Sequence, residues 1–479
     1  MVTLKKSILA LSIAGSILIA NSFTSPIIAR AESANGFYFT VANSEATVTG
    51  CTSRCPFDLV ILANLGGYPV TTIGVGSFQF SNLTSVFLPE SLTLIADNSF
   101  DHNALTTLTI PASVVGIGQS AFAFNSLTSV TLPNSIVHIG SYAFRDNALT
   151  DVAIPTSIAT ISEGAFTENQ LEIVTIPNSV TRIDDHAFSS NSLVSVVIPN
   201  SVTRIGGWSF ADNLLASVSL SSALTRISSY AFWRNNLAAV NFPSSVVIID
   251  DYAFSENSIT SLVVPDSVAV IGSGAFNQNE IASLTLPNSV RFLGDSSFSY
   301  NTELVQLVVP SSVKWIGDSA FAWTGLGNVE FLGDAPYAGV GVFDYSYGVE
   351  AIIRPFSARG YGSTWSGMPV VIADARATAT VKPTVAGTSM VGRTLTAAKG
   401  TWIGYPTPTL TYQWYACTTV VSAARTTVPP TCRKIAGATR STFKLTSTQR
   451  GKYVAVLVKG TSLRTTSTTW LSKTTPKVR

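Results

Sequence analysis

From residue 78 onward, apolar and polar positions follow a spacing that is neither the 3.6-residue period of an amphipathic helix nor a long alternation of two. Phe78, Phe100, Phe122, Phe144, Phe166, Phe188, Phe210, Phe232, Phe254, Phe276 and Phe298 recur every 22 residues, and Phe321 follows after 23. The extra residue falls in Asn301-Thr302-Glu303-Leu304, where other units carry one residue between Asn and the aliphatic. Within a unit, Phe122 leads to Asn125, Leu127, Val130, Leu132, Pro133, Ile136 and Ile139 before Phe144 arrives. The L-x-x-V-x-L core predicts a short strand with Val130 and Leu132 on one face and Thr131 on the other. Proline, which lacks the N–H for further pairing, ends it. Pro89, Pro111, Pro155, Pro177, Pro199, Pro243, Pro265 and Pro287 repeat that stop, and Ser221 is the exception. Ile136, Ile139 and Phe144 then point inward from the returning segment. One such coil cannot bury its apolar side alone, so the units must stack.

Ten asparagines, from Asn103 to Asn301, sit three residues after their Phe. A turn carries backbone groups that cannot pair within their own coil, and stacked amides can bond those of a neighbour. Phe122, Phe144, Phe166 and Phe188 with Asn125, Asn147, Asn169 and Asn191 are therefore read as structural ladders. At this point the units resemble the BspA-type leucine-rich repeat family, whose motif L-T-S-V-x-I-P-x-S-V-x-x-I-G-x-x-A-F is matched by Leu193-Val-Ser-Val196-Val-Ile198-Pro199-Asn-Ser201-Val202-Thr-Arg-Ile205-Gly206. The match covers about residues 37 to 372, in a compact 22-residue variant. The resemblance implies a repeat solenoid with a short parallel strand and an irregular return per coil. It also implies a secreted or cell-surface bacterial protein, since the family includes adhesins that bind host matrix proteins.

The segments around the repeats set the expected domain boundaries. Residues 1–31 combine Lys5, Lys6, an apolar stretch from Ile8 to Ala20 and Ala29-Arg30-Ala31, the order of a secretory signal peptide cut after Ala31. Residues 32–70 are expected to form a hairpin cap, 71–332 the array of twelve Phe-anchored units, 333–372 the opposite cap, with Gly360, Gly362, Trp365, Gly367 and Pro369, and 373–381 a linker. No later apolar run reaches the roughly 20 residues that span a bilayer. With no LPxTG-like sorting sequence, covalent wall anchoring is not expected.

From about Ala377 the period is lost and Thr, Lys and Arg dominate, and residues 382–479 are expected to form a further domain. Thr409-Leu-Thr-Tyr-Gln-Trp414-Tyr reads as a strand carrying a core Trp, and Lys452-Tyr453-Val-Ala-Val-Leu-Val458 as a central strand. Gln449-Arg-Gly451-Lys-Tyr453 resembles the D-x-G-x-Y corner of immunoglobulin-like sandwiches. Gln stands in place of Asp, and Ala455 where an antibody-type domain has its core Cys. The resemblance implies an all-β immunoglobulin-like module without the inter-sheet disulfide.

Composition sharpens this division. The chain is 46% apolar and 12% charged, about half the usual charged share. Residues 377–479 hold 15 Lys and Arg and no acid, while residues 32–376 hold 11 Lys and Arg and all 27 acids, so formal charges of +15 and −16 oppose one another. Such a field favours anionic polymers of any sequence. The charge of residues 377–479 has two readings, pairing with the acidic repeats or plain solubility on one side and anionic cell-wall polymer as a partner on the other, while an extracellular protein or matrix ligand is the expected partner of the repeats. No nucleic acid or membrane span is expected.

Four cysteines allow three pairings; in an exported chain the local pairs Cys51–Cys55 and Cys417–Cys432 are the economical choice. Zinc needs about four clustered ligands, and neither pair has a neighbouring Cys or His. No metal site or cofactor is expected. His102, His138 and His186 all lie inside repeats, and G-x-S-x-G, H-E-x-x-H and phosphate-loop motifs are missing. Asp184-Asp185 and Asp250-Asp251 are neighbours on turns, which does not place acid and base across a bond. No catalytic residue is assigned. Binding leaves a hydroxyl face that includes Ser129, Thr131, Thr175, Ser195 and Thr285, a column of Arg182, Arg204 and Arg226, and an aromatic row of Trp208, Tyr230 and Tyr252 with Tyr142 and His186.

Overall fold

The computed structural model describes residues 30–346, 348–353, 359–372, 377–403, 408–461 and 467–479. The expected leader, apart from Arg30 and Ala31, lies outside the described residues, as do positions 373–376 of the expected linker. The repeats form a solenoid. On one side, strands of three or four residues pair in parallel from coil to coil, Ser129–Thr131 on Thr107–Thr109 with Val130 opposite Leu108. The returning segment is more regular than its spacing implies. It pairs too, over two residues per coil, as in His138–Ile139 on Gly116–Ile117 and Arg182–Ile183 on Arg204–Ile205.

The Phe ladder fills the space between these two sides. From Phe78 to Phe321 successive rings lie 5.3 to 5.7 Å apart at 0 to 18°, the offset stacking that aromatic quadrupoles prefer. It continues one ring further than the sequence reading: Phe343 stacks on Phe321 at 5.7 Å and 9°. Its unit reads Gly341-Val342-Phe343-Asp344, with Val where most units have Ala and Asp following, which hides it from a motif match.

Each Asn binds the coil before it. Asn191 Oδ1 accepts the Leu171 N–H at 3.0 Å, and its Nδ2 lies 2.9 to 3.2 Å from the carbonyls of Phe166, Phe188 and Ser189. The geometry repeats from Asn103 to Asn301. After each proline the chain turns, as where the Ile136 N–H meets the Pro133 carbonyl at 3.1 Å. Ser221 makes the same turn and adds a 2.7 Å bond from its hydroxyl to the Val202 carbonyl.

Both ends of the stack are covered. Phe37–Ala42 and Glu45–Cys51 form an antiparallel hairpin whose second strand runs parallel to Tyr68–Ile73, and Phe37 meets Phe78 edge-on at 6.3 Å. At the other end Thr364–Trp365 folds back on Met368–Ile372, seating Trp365 against Phe331 at 4.7 Å. The C-terminal region is a separate antiparallel β unit with its own core, compatible with an immunoglobulin-like part. Thr409–Cys417 pairs with Tyr453–Thr461, and Trp414 is fully buried with its indole N–H on the Arg440 carbonyl at 2.9 Å. Both disulfides are local, Cys51–Cys55 and Cys417–Cys432.

Candidate functional site

The surface outside the Phe ladder is built by backbone conformation. Every Phe turn is flanked by two left-handed residues, for example Tyr142 and Asp146 at φ 60° and 53°, or Trp208 and Asp212 at 59° and 55°. A non-glycine residue there costs about 1–2 kcal/mol. Backbone bonds to the next coil offset that cost: the N–H groups of Tyr142, Phe144 and Asp146 reach the carbonyls of Glu163, Ala165 and Thr167 at 2.8, 3.0 and 3.2 Å. The two bends send the Phe inward and leave three outward columns, one at each bend and one between them.

The first column carries the aromatic row. His186, Trp208, Tyr230 and Tyr252 stack at 5.8, 4.1 and 4.9 Å with interplanar angles of 12°, 9° and 11°. Trp233, from the middle column, meets Trp208 edge-on at 5.2 Å. Tyr142 stands apart, across Gly164, with its hydroxyl on Glu163 at 2.7 Å. Burial first, then the hydrogen bond and charge of Glu163, push its phenol up to about 12. Burial and the nearby Tyr252 and Asp251 raise Tyr230 as well.

Arg182, Arg204 and Arg226 lie on the return side at equivalent positions, with Arg182 directly opposite Arg204 in register. Arg182 pairs with Asp184, and Arg226 with Asp250 through a second contact of 2.7 Å from Nη2. Arg204 is exposed and makes no ion pair among the described residues, because position 206 of its own coil is Gly where Arg182 finds Asp184, and position 228 of the next coil is Ser where Arg226 finds Asp250. The three arginines and the aromatic row therefore occupy different columns, and the fold does not gather them into one site. The hydroxyl face is exposed as expected but not continuous: Ile173, Val197 and Val263 interrupt it at 65 to 66% exposure.

Two exposed aromatic ribs near the C-terminal end of the array escaped the sequence reading. Phe292, Trp315 and Tyr337 stack at 6.0 and 3.9 Å in the column that holds the arginines earlier. Tyr300, Trp323 and Tyr345 stack at 5.6 and 4.1 Å in the second bend column. Their exposures run from 37 to 58%. A search of each column for aromatics, allowing for the extra residue after Asn301, would have found both. Among the described residues, no three His, Cys, Asp or Glu come together to hold a metal ion, and no helix is long and apolar enough to cross a membrane.

The family model described as BspA type leucine rich repeat region matches in six copies over residues 67–172, 137–259 and 225–350. Among solved structures, the chain is similar to a leucine rich cell surface protein from Faecalibacterium prausnitzii, at 23% identity over 70% of this chain and 95% of that one, with a TM-score of 0.46. A leucine-rich repeat protein from Bacteroides ovatus is 18% identical over 67% and 94%, with a TM-score of 0.43. The pneumococcal vaccine antigen PcpA is 18% identical over 70% and 89%, with a TM-score of 0.45. No curated protein matches the chain.

Proposed function

The chain belongs to the BspA-type leucine-rich repeat family, and we propose that it is a non-enzymatic, secreted or cell-surface protein that binds an extracellular protein or matrix ligand along its repeats. The observation that supports this most is the pair of exposed ribs, Phe292–Trp315–Tyr337 and Tyr300–Trp323–Tyr345. Energetically dominant interface residues are enriched in Trp, Tyr and Arg. A stack held rigid by its own coils also loses little side-chain freedom on binding. Trp208, Tyr230 and Tyr252, whose faces are taken up by mutual stacking, offer ring edges to the same partner, and Arg204 offers an unpaired cation. Arg182 and Arg226 join this proposal as carboxylate-bound neighbours. The test is retention of the purified mature protein on a panel of immobilised extracellular-matrix proteins. Binding that falls at least tenfold in Trp315→Ala/Trp323→Ala supports the reading, and no retention on any of them overturns it.

A second reading is favoured by charge. The 15 cations and absence of acids in residues 377–479 suit a structural envelope role, in which this module holds the protein on anionic wall polymer and the array serves as a spacer.

A further inference from the structure

Five successive coils enclose a shallow trough of about 340 Å³ on the Phe-turn surface. Its floor is the middle column, where Thr167, Ser189 and Ala211 are small and buried. Larger members of that column, Arg145 before them and Trp233 after, stop the two ends. Tyr142, His186 and Trp208 rise along one side, and Glu168, Ser190 and Asp212 along the other.

Both carboxylates of the polar side face a guanidinium. Glu168 takes two bonds from Arg145, at 3.2 and 3.0 Å, and Asp212 lies 3.6 Å from Arg234, which Glu256 shares at 3.5 Å. On the floor the Thr167 and Ser189 hydroxyls are 2.6 Å apart and satisfy each other. The trough therefore has no spare cation to draw an anion. It sets an aromatic side against a side of paired donors and acceptors. That is the chemistry of a pyranose ring, whose C–H face packs on the π density of Trp233, set at 72° to Trp208 and so outside the parallel stack, while its hydroxyls bridge carboxylate and guanidinium groups.

We propose that this trough binds a neutral oligosaccharide of about two sugar rings. Adjacent strands lie about 4.8 Å apart, so the three-coil floor accommodates a segment of roughly 10 to 14 Å, and the volume falls at the small end of ligand pockets, about 300–1,000 Å³. The site goes beyond the protein-binding reading and lies in other coils than the C-terminal ribs, although its polar side shares the second bend column with Tyr300, Trp323 and Tyr345.

The test uses the mature full-length chain and its tryptophan fluorescence, to which Trp208 and Trp233 report from the trough itself. It is titrated with cellotriose, mannotriose and N-acetylchitotriose, and with sialyllactose as the charged counterpart. A saturable shift with at least one neutral trisaccharide, at least tenfold tighter than with sialyllactose, is expected. Ala211→Trp fills the floor and should abolish the shift; the column already accepts Trp233 in the next coil, so the melting temperature should hold. If that variant does not fold, Asp212→Asn on the exposed rim should weaken binding at least tenfold. No saturable response to any neutral trisaccharide, tighter binding of sialyllactose, or unchanged binding in a folded Ala211→Trp overturns the proposal. Trp315→Ala/Trp323→Ala, which lies outside the trough, should leave the trisaccharide shift unchanged, so failure here and failure of the protein-binding reading are separable.

Discussion

The ring of Tyr142 occupies the place where residue 164 would carry a side chain. A Cβ on Gly164 would stand 2.2 Å from Tyr142 Cε1, and the backbone there is left-handed at φ +56°. Tyr252 and Gly274 repeat the relationship at 2.3 Å. The glycines thus end the aromatic row on either side of His186 to Tyr252, by giving their space to the preceding tyrosine. Gly164→Ala should expel the Tyr142 ring and break its bond to Glu163. A loss of about 2–5 kcal/mol in chemical unfolding is expected, combining the left-handed penalty of about 1–2 kcal/mol with about 1–3 kcal/mol for the clash. Tyr142→Ala in the same chain should recover part of it. A Gly164→Ala protein as stable as wild type would mean that the ring is not seated there.

The inner ladders should carry most of the array's cohesion. Phe188→Ala removes a fully buried ring flanked by Phe166 and Phe210 and is expected to cost about 3–5 kcal/mol. Asn191→Ala leaves the Leu171 N–H and several carbonyls without their partner, at about 1–3 kcal/mol for a buried group so orphaned. Exposed Asn134, which accepts the Thr156 N–H at 2.9 Å, is the control. Water can replace it, so Asn134→Ala should shift the denaturant midpoint far less. Equal losses at Asn134 and Asn191 would remove the inner Asn column from its cohesive role.

Tyr142 also makes stability depend on alkaline pH. Its phenol is raised from 10.0 to about 12 in the folded chain, so between those values the unfolded chain releases a proton that the folded one keeps. Its contribution is fully present below pH 10 and is lost as pH rises through about 12. Melting temperatures of wild type should therefore fall more steeply than those of Tyr142→Phe over that interval. Parallel curves for the two proteins would contradict it.

The inner half of the coil was legible because burial leaves few choices. A column that is Phe in every unit, or Asn in ten of them, repeats by identity, and twelve of the thirteen stacked rings could be read directly from the spacing. The outer columns obey no such rule. Left-handed backbone at Tyr142, His186 and Trp208 has no residue signature beyond the glycines at 164 and 274, and whether an arginine of the column finds a carboxylate depends on its own coil and the next, Asp184 serving Arg182 and Asp250 serving Arg226 where Arg204 meets Gly206 and Ser228. The trough was hidden for the same reason. Small residues at 167, 189 and 211 become a floor once Arg145 and Trp233 are known to share their column.

Charge separation between the array and the C-terminal module gives a prediction that discriminates between the two functional readings. The module's cations include Lys382, Arg393, Lys399, Arg425, Arg433, Lys434, Arg440 and Lys444, and no Asp or Glu lies among residues 377–479 to balance them. Part of this charge is packed in place, as where the Lys382 ammonium sits 4.7 Å from the Trp470 ring centre. The exposed remainder interacts through a screening length of about 8 Å at physiological salt, shrinking to about 3 Å at 1 M. If the module anchors the protein, residues 377–479 should sediment with anionic wall polymer at low salt and release at roughly 0.5 to 1 M, where attraction between exposed charges is screened. Residues 32–376, formally −16, should stay in solution under both conditions. Binding equally strong at high salt would point to contacts other than charge. A module that stays soluble at low salt would leave its cations without a wall partner and favour the reading in which the repeats alone engage the ligand.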